Sequence, residues 1–176
     1  PTPPPGTGVR EFVSVYPAKW SRTWDSTGSS TGFMYQGYYS SGAGGYEWSK
    51  FGFDSTQIQA DLAGATITKV ELYLKNAHSY WSSGLNLMLG WHNDAFDGAT
   101  SRTTGNWNSL SSEWFNKYQG KWVTLNNSVG NQLRDGTMAG FTLGSPYSGS
   151  NNTYGYFDGA HNVYPPQLRI TYQKAV

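Results

Sequence analysis

Two runs of strict alternation lie within residues 63–93, and no other stretch restricts the fold as strongly. Val70, Leu72, Leu74 and Asn76 alternate with Lys69, Glu71, Tyr73 and Lys75; further on, Leu85, Leu87, Leu89 and Trp91 alternate with Asn86, Met88, Gly90 and His92. A period of two belongs to a strand with one buried face, because successive side chains point to opposite sides. The link, residues 79–84, is short enough for a hairpin. With the turn centred on Trp81 and Ser82, antiparallel partners sum to about 163, which pairs Leu72 with Trp91, Leu74 with Leu89 and Asn76 with Leu87. Both apolar sets then share one face, and a slip of one residue would turn one of them to water.

The remaining segments extend the same pattern. Residues 11–24 read as one strand or as two interrupted at Pro17, and residues 25–32 (DSTGSSTG) as a turn. Residues 33–39 and 46–54 read as a strand pair around SSGAGG, with Phe51 and Phe53 inward. Residues 57–62 form a connector with room for one helical turn. Residues 94–120 are a long irregular connection of the kind that often carries function. Strands are expected at 122–125, 139–143, 153–157 and 167–173. Residues 126–136 are the one convincing helix, capped by Asn127 or Ser128, with Val129 and Leu133 on one face and Gly136 at its end. Eight to ten strands and one short helix predict an all-β fold, a β-sandwich of jelly-roll type, over residues 9–176.

Composition supports that class. The 176 residues include 22 glycines and 16% aromatics but only 13% charged residues, with a net charge of +1. Such a balance carries no electrostatic footprint for nucleic acid, and no apolar run approaches the ~20 residues that span a bilayer. The chain has no cysteine, so disulfides and thiolate metal sites are excluded. Residues 1–8 (PTPPPGTG) read as an extended linker, and a start at Pro1 rather than Met suggests a piece of a longer protein.

Catalytic and metal motifs are scarce, and no cofactor is implied. On the expected hairpin, His78 sits by the turn opposite Leu85, while His92 lies about seven residues away, or ~23 Å at ~3.3 Å per residue, on the other face. That separation argues against a metal site. Glutamates are few, Glu47, Glu71 and Glu113 besides Glu11 near the start; Glu71 is expected to face solvent, and a glycosidase needs two closely spaced carboxyls in a cleft. Asp94 and Asp97 are spaced like a calcium pair but lack the other oxygens of a binding loop, so an Asx-rich turn is the simpler reading. No nucleophile elbow or phosphate loop occurs. The chain therefore reads as a non-enzyme.

The positive signal is the rings. Tyr35, Tyr38, Tyr39, Tyr46, Trp48, Tyr80, Trp81, Trp107, Trp114, Tyr118, Tyr147, Tyr154 and Tyr156 are more than the interior of one small sandwich can hold. Rings with a polar edge serve binding sites, where the face stacks and the edge hydrogen-bonds. A glycan site is the sharp expectation, with Tyr80, Trp81, Trp107, Trp114, Tyr118 and Tyr147 as ligand-binding candidates. Trp81, at the hairpin tip, is the foremost exposed ring. Burial between subunits or under the long connection competes with this reading, Trp107 and Trp114 being the rings best placed to pin that connection.

A resemblance adds to these readings. The phrase FDSTQIQADLAGATITKVELYLKNAH resembles the central strands of jelly-roll domains in cell-surface and phage tail proteins. The order VSVYPAKWSRTWDSTG, MYQGYYS, GATITKVELYLKNAHSYWSSGLNLMLGWHN, VGNQLRDGTMAGFTLG, YGYFDGA and PPQLRITYQK resembles the C-terminal domains of minor tail or tail-fibre proteins from phages of Gram-positive actinobacteria. It covers residues 13–174, and residues 94–120 fall outside its pattern. The resemblance implies a non-enzymatic, trimeric adhesin at the virion tail, extracellular, contacting host cell-envelope polysaccharide and not inserting in a membrane. It carries no binding residues over. The alternatives are a carbohydrate-binding module of a secreted enzyme and an assembly domain without its own ligand.

Overall fold

The computed structural model describes residues 8–176, so the expected linker lies, but for Gly8, outside the described residues. Fourteen strands follow in chain order: β1 (Val9–Pro17), β2 (Trp20–Trp24), β3 (Ser29–Ser30), β4 (Met34–Tyr38), β5 (Tyr46–Gly52), β6 (Thr66–Ser79), β7 (Gly84–Asn86), β8 (Leu89–His92), β9 (Asn106–Ser111), β10 (Trp114–Asn116), β11 (Gly120–Leu125), β12 (Gly140–Gly144), β13 (Gly155–Phe157) and β14 (Gln167–Ala175). Twelve form one antiparallel network in the order β1-β14-β6-β13-β4-β5-β12-β8-β9, with β11 also on β6 and β2 on β5 and β3. β7 and β10 pair separately. The network curls on itself around one core, giving the all-β sandwich expected from the alternation.

The alternating runs do supply that core, but not as a hairpin. Val70, Leu72 and Leu74 are fully buried with Leu85, Leu87 and Leu89 in one apolar cluster that also holds Phe51, Phe141 and Ile170. Their backbones do not pair. β6 is flanked by β14 and β11 over its first part and by β13 at its end, whereas β8 lies between β12 and β9. A strand has two edges, and both edges of β6 are taken by segments that come much later in the chain. Residues 80–83 therefore carry the chain away from β6, and the two leucine sets meet through their side chains. At this crossing Gly84 has φ +138, and a Cβ there would sit 1.9 Å from the Phe115 carbonyl oxygen, so glycine alone lets β7 lie against β10.

Among the described residues two α-helices form rather than one. α1 (Ser55–Leu62) buries Ile58 and Leu62, and the Asp54 side chain caps it by accepting from the Gln57 N–H. α2 (Asn127–Asp135) buries Val129 and Leu133 and ends on Gly136 at φ 78 as expected, but its cap is Asn126, which accepts from the Ser128 N–H. The expected irregular connection, residues 94–120, contains β9 and β10 and is tied down by Lys50 of β5, discussed below.

Candidate functional site

β6, β13 and β4 lie side by side, with Tyr156 paired to His78 on one neighbour and to Tyr35 on the other. Alternation turns Met34, Gln36, Asn76 and Phe157 into the interior, all fully buried. The other face is left with Phe33, Tyr35, His78 and Tyr156. Tyr156 stacks with Phe33 at 4.9 Å between ring centroids, with Tyr35 at 4.7 Å and with His78 at 5.1 Å. His78 then meets Tyr154 at 6.3 Å, Tyr154 meets Tyr39 at 5.1 Å, Tyr39 meets Tyr80 at 5.8 Å, and Tyr80 meets Trp81 edge-on at 4.8 Å. The result is an unbroken ribbon of rings across the surface. Its outer members are open to solvent: Tyr39, Tyr80 and Trp81 are exposed, Trp81 to 46%.

Polar side chains, several of them buried, fix this ribbon. The Ser49 hydroxyl donates to the Tyr35 carbonyl at 2.7 Å, and the Tyr35 N–H donates to Thr23 Oγ1. Asn76, with no exposure, donates to the carbonyls of His78 and Tyr156 and accepts from the Tyr118 N–H. Asn151 donates to the carbonyls of Tyr38 and Tyr39, and the Trp81 indole N–H donates to Asn152 Oδ1 at 2.8 Å. Gly37, at φ +87, admits the 153–154 backbone so closely that a Cβ would stand 2.5 Å from it; this contact seats Tyr154. Partial burial, followed by the charge of Lys117, pushes His78 below its ordinary pKa, which favours a neutral ring in the ribbon at neutral pH.

Hollows lie at either side. One, of about 460 Å³, is lined by Phe33, Tyr118, Tyr164, Lys75 and Asp158 among others. The second, of about 470 Å³, is lined by Trp24, Asp25, Tyr35, Glu47 and Tyr154 with the Thr23 and Thr27–Ser30 segments. Burial, and then the charge of Asp25, raise the Glu47 carboxyl to about 7. Partial burial opposes ionisation of Asp25 too, but bonds from the Thr27 hydroxyl and N–H and the Gly28 N–H, with the charge of Arg102, outweigh it and hold Asp25 below the usual carboxylate range.

Of the six expected ligand-binding residues, Tyr80 and Trp81 belong to the ribbon, and Tyr118 lines the hollow at its Phe33 end. The other three lie elsewhere. Trp107 is half-buried on β9 with its ring 5.6 Å from Lys50 Nζ; Trp114, on β10, is exposed and bonds Asn116 Oδ1; Tyr147 is exposed in the loop after β12. No ring pair among the described residues joins these three to the ribbon. The sequence reading missed Tyr35, Tyr39, Tyr154, Tyr156 and Glu47 as site members. The spacing Phe33-x-Tyr35 and Tyr154-x-Tyr156 was the available signal, since it puts each pair on one strand face.

The charged residues resolve differently from the sequence reading. Glu71 is buried rather than solvated, because Arg169, its cross-strand partner on β14, holds it through two bonds of 2.7 and 3.0 Å and lies 4.0 Å over Trp122 of β11. The Arg169 bond chiefly, and Lys69, lower the Glu71 pKa. Asp94 and Asp97 face separate cations, Lys50 at 2.7 Å and Arg22 at 2.8 Å. His92 is enclosed: the Asp94 N–H donates to its Nδ1, so Nε2 carries the proton and donates to the Phe51 carbonyl at 2.8 Å. Among the described residues no cluster of three His, Asp or Glu side chains is placed to hold a metal ion, and no helix is long and apolar enough to cross a membrane.

No protein-family model matches this chain, and no curated protein matches it.

Proposed function

We propose that this domain is a glycan-binding adhesin, and that the ribbon from Phe33 through Tyr156 and Tyr154 to Trp81 is its contact surface. The ribbon carries the reading. Sugar rings offer apolar C–H faces to aromatic planes and hydroxyls to polar edges, and seven rings in succession at about 5–6 Å spacing suit a chain of sugars rather than one small molecule. The flanking hollows supply carboxyl, amide and hydroxyl groups for the orienting hydrogen bonds that such sites need.

The more specific form of the proposal rests on the resemblance to actinobacterial phage tail proteins: a trimeric receptor-binding domain of the virion tail whose ligand is the host cell-envelope polysaccharide. Binding of fluorescent domain to host cells, competed by purified envelope polysaccharide, tests it. Competition that is lost when Tyr154 and Trp81 are both replaced by alanine supports the reading. Binding unaffected by that pair removes the ribbon from the site. Light scattering separates a trimeric tail domain from a monomeric module of a secreted enzyme, and a trimer whose glycan arrays stay blank would instead favour an assembly domain with its rings between subunits.

A further inference from the structure

The hollow beside the ribbon holds a group the glycan reading has not used. Glu47 comes from β5, next to Gly37 of β4, and is only 8% exposed. It makes no ion pair among the described residues, and its Oε2 has no hydrogen-bond partner. An unpartnered buried carboxyl is costly, and one that lines a cavity is satisfied by whatever enters the cavity. Asp25 lines the same wall, its Oδ1 occupied by Thr27 and Gly28 at 2.7–3.0 Å. The cation acting on Asp25, Arg102, is committed elsewhere: it donates to the Asp25 main-chain carbonyl and lies 5.4 Å from the Trp48 ring centroid. Trp24, Tyr35 and Tyr154 complete the lining. Two carboxyls, three aromatic rings and no cation in the wall make a receptor for positive charge.

We propose that this hollow binds an ammonium group, and, resting on the glycan reading of the ribbon, that the group is the free amine of an amino sugar within the bound polysaccharide. Tyr35 and Tyr154 belong both to the ribbon and to the hollow, so a sugar stacked there directs a substituent toward Glu47. A neutral hydroxyl would bond the Glu47 carboxyl as well. Only a cation also relieves the repulsion between Glu47 and Asp25, which is the source of discrimination. The titratable groups facing Glu47 are Asp25 from the β2–β3 turn, Tyr35 from β4 and Tyr154 ahead of β13. Of the two carboxyls, Asp25 is ionised at neutral pH and Glu47 is half-protonated there, so ammonium binding releases a proton from Glu47 and strengthens as pH rises toward about 7, then weakens where the amine itself loses its proton.

The test compares glucosamine with N-acetylglucosamine, which lacks the charge, by NMR titration of protein carrying carbon-13 at its glutamate carboxyls. The expected result is a shift of the Glu47 carboxyl signal with glucosamine, an affinity about tenfold above that of N-acetylglucosamine, and loss of that preference in Glu47→Gln. Asp25→Asn is expected to reduce the preference several-fold, and Trp114→Ala, exposed and outside both the ribbon and the hollow, to leave it intact. Equal binding of the two sugars, absence of binding by either, or a preference that survives Glu47→Gln overturns the inference. So does release of reducing ends from a chitosan oligomer by wild type and not by Glu47→Gln, which would make Glu47 an acid catalyst. Because glucosamine alone probes the hollow, a failed ribbon would show in polysaccharide attachment while this preference persisted.

Discussion

Replacing Asp94 by alanine tests how residues 94–107 are held to the sandwich. Lys50 is fully buried, and its ammonium has three hydrogens for three acceptors: Asp94 Oδ2 at 2.7 Å and the carbonyl oxygens of Ser101 at 2.6 Å and Thr104. Asp94 accepts in turn from the Thr100 hydroxyl at 3.0 Å and the Ser101 N–H at 3.1 Å. Burial disfavours its charge, but the bonds from Lys50, Ser101 and Thr100 outweigh that cost and keep Asp94 below the ordinary carboxylate pKa. Removing the carboxylate deletes three bonds to a charged acceptor, the one from Lys50 worth roughly 1.5–3 kcal/mol and the two from uncharged donors about 1 kcal/mol or more each. It also strands a buried charge, and the total falls in the range of about 3–5 kcal/mol measured for broken buried pairs. For a domain of this size each kcal/mol lowers Tm by roughly 2–4 °C, so the fall is about 6–20 °C. Urea unfolding at pH 7 measures it, with Lys50→Met/Asp94→Leu expected to recover part of the loss because no buried charge remains. A loss under about 1 kcal/mol for Asp94→Ala would refute the reasoning, since it would mean that Lys50 reaches water.

Three further outcomes are expected. Trp81→Ala weakens attachment to host cells about tenfold, or ~1.4 kcal/mol, while the urea midpoint stays within error of wild type, because the ring is exposed at the ribbon's end; unchanged attachment would exclude Trp81 from the surface. Burial, against the pull of the Phe51 carbonyl and Asp94 and with the charge of Lys50, depresses His92 to about 4. The unfolded chain therefore takes up this proton first, and stability is lost as pH falls from 6.5 toward 4, by roughly 3 kcal/mol; His92→Gln should flatten that slope in an unfolding series. Glu47 behaves oppositely: its raised pKa means that stability is lost as pH rises from 4.5 to about 7. After discount for residual solvent screening this is about 2 kcal/mol, so Glu47→Gln should match wild type at pH 4.5 and exceed it at pH 8.

Much of the core was legible in the sequence because period-two alternation depends only on which face is buried. Val70, Leu72, Leu74, Leu85, Leu87 and Leu89 all lie inside, as do Phe51 and Phe53. Pairing was not legible. The local hairpin satisfied the same pattern as the true arrangement, and nothing within residues 63–93 signals that β11, β13 and β14 occupy the edges of β6. Glu71 fails for the same reason: it is held by Arg169, which itself lies over Trp122, and both come from strands remote in sequence. The surplus of surface rings was legible, but the ribbon is assembled from segments up to more than a hundred residues apart, so the sequence points to Tyr80 and Trp81 within it and Tyr118 beside it, and not to Tyr154 or Tyr156. Glu47 gave no sign, because its burial comes from β4 and the β2–β3 turn rather than from its own strand.

The most direct test of the ribbon as a glycan surface is NMR mapping of aromatic side-chain signals while host-envelope polysaccharide is titrated into the domain. Contact along the proposed surface predicts shifts at Tyr39, Tyr80, Trp81, Tyr154 and Tyr156 with Trp107, Trp114 and Tyr147 unmoved. Shifts confined to those last three rings, or none at saturating polysaccharide, would contradict it.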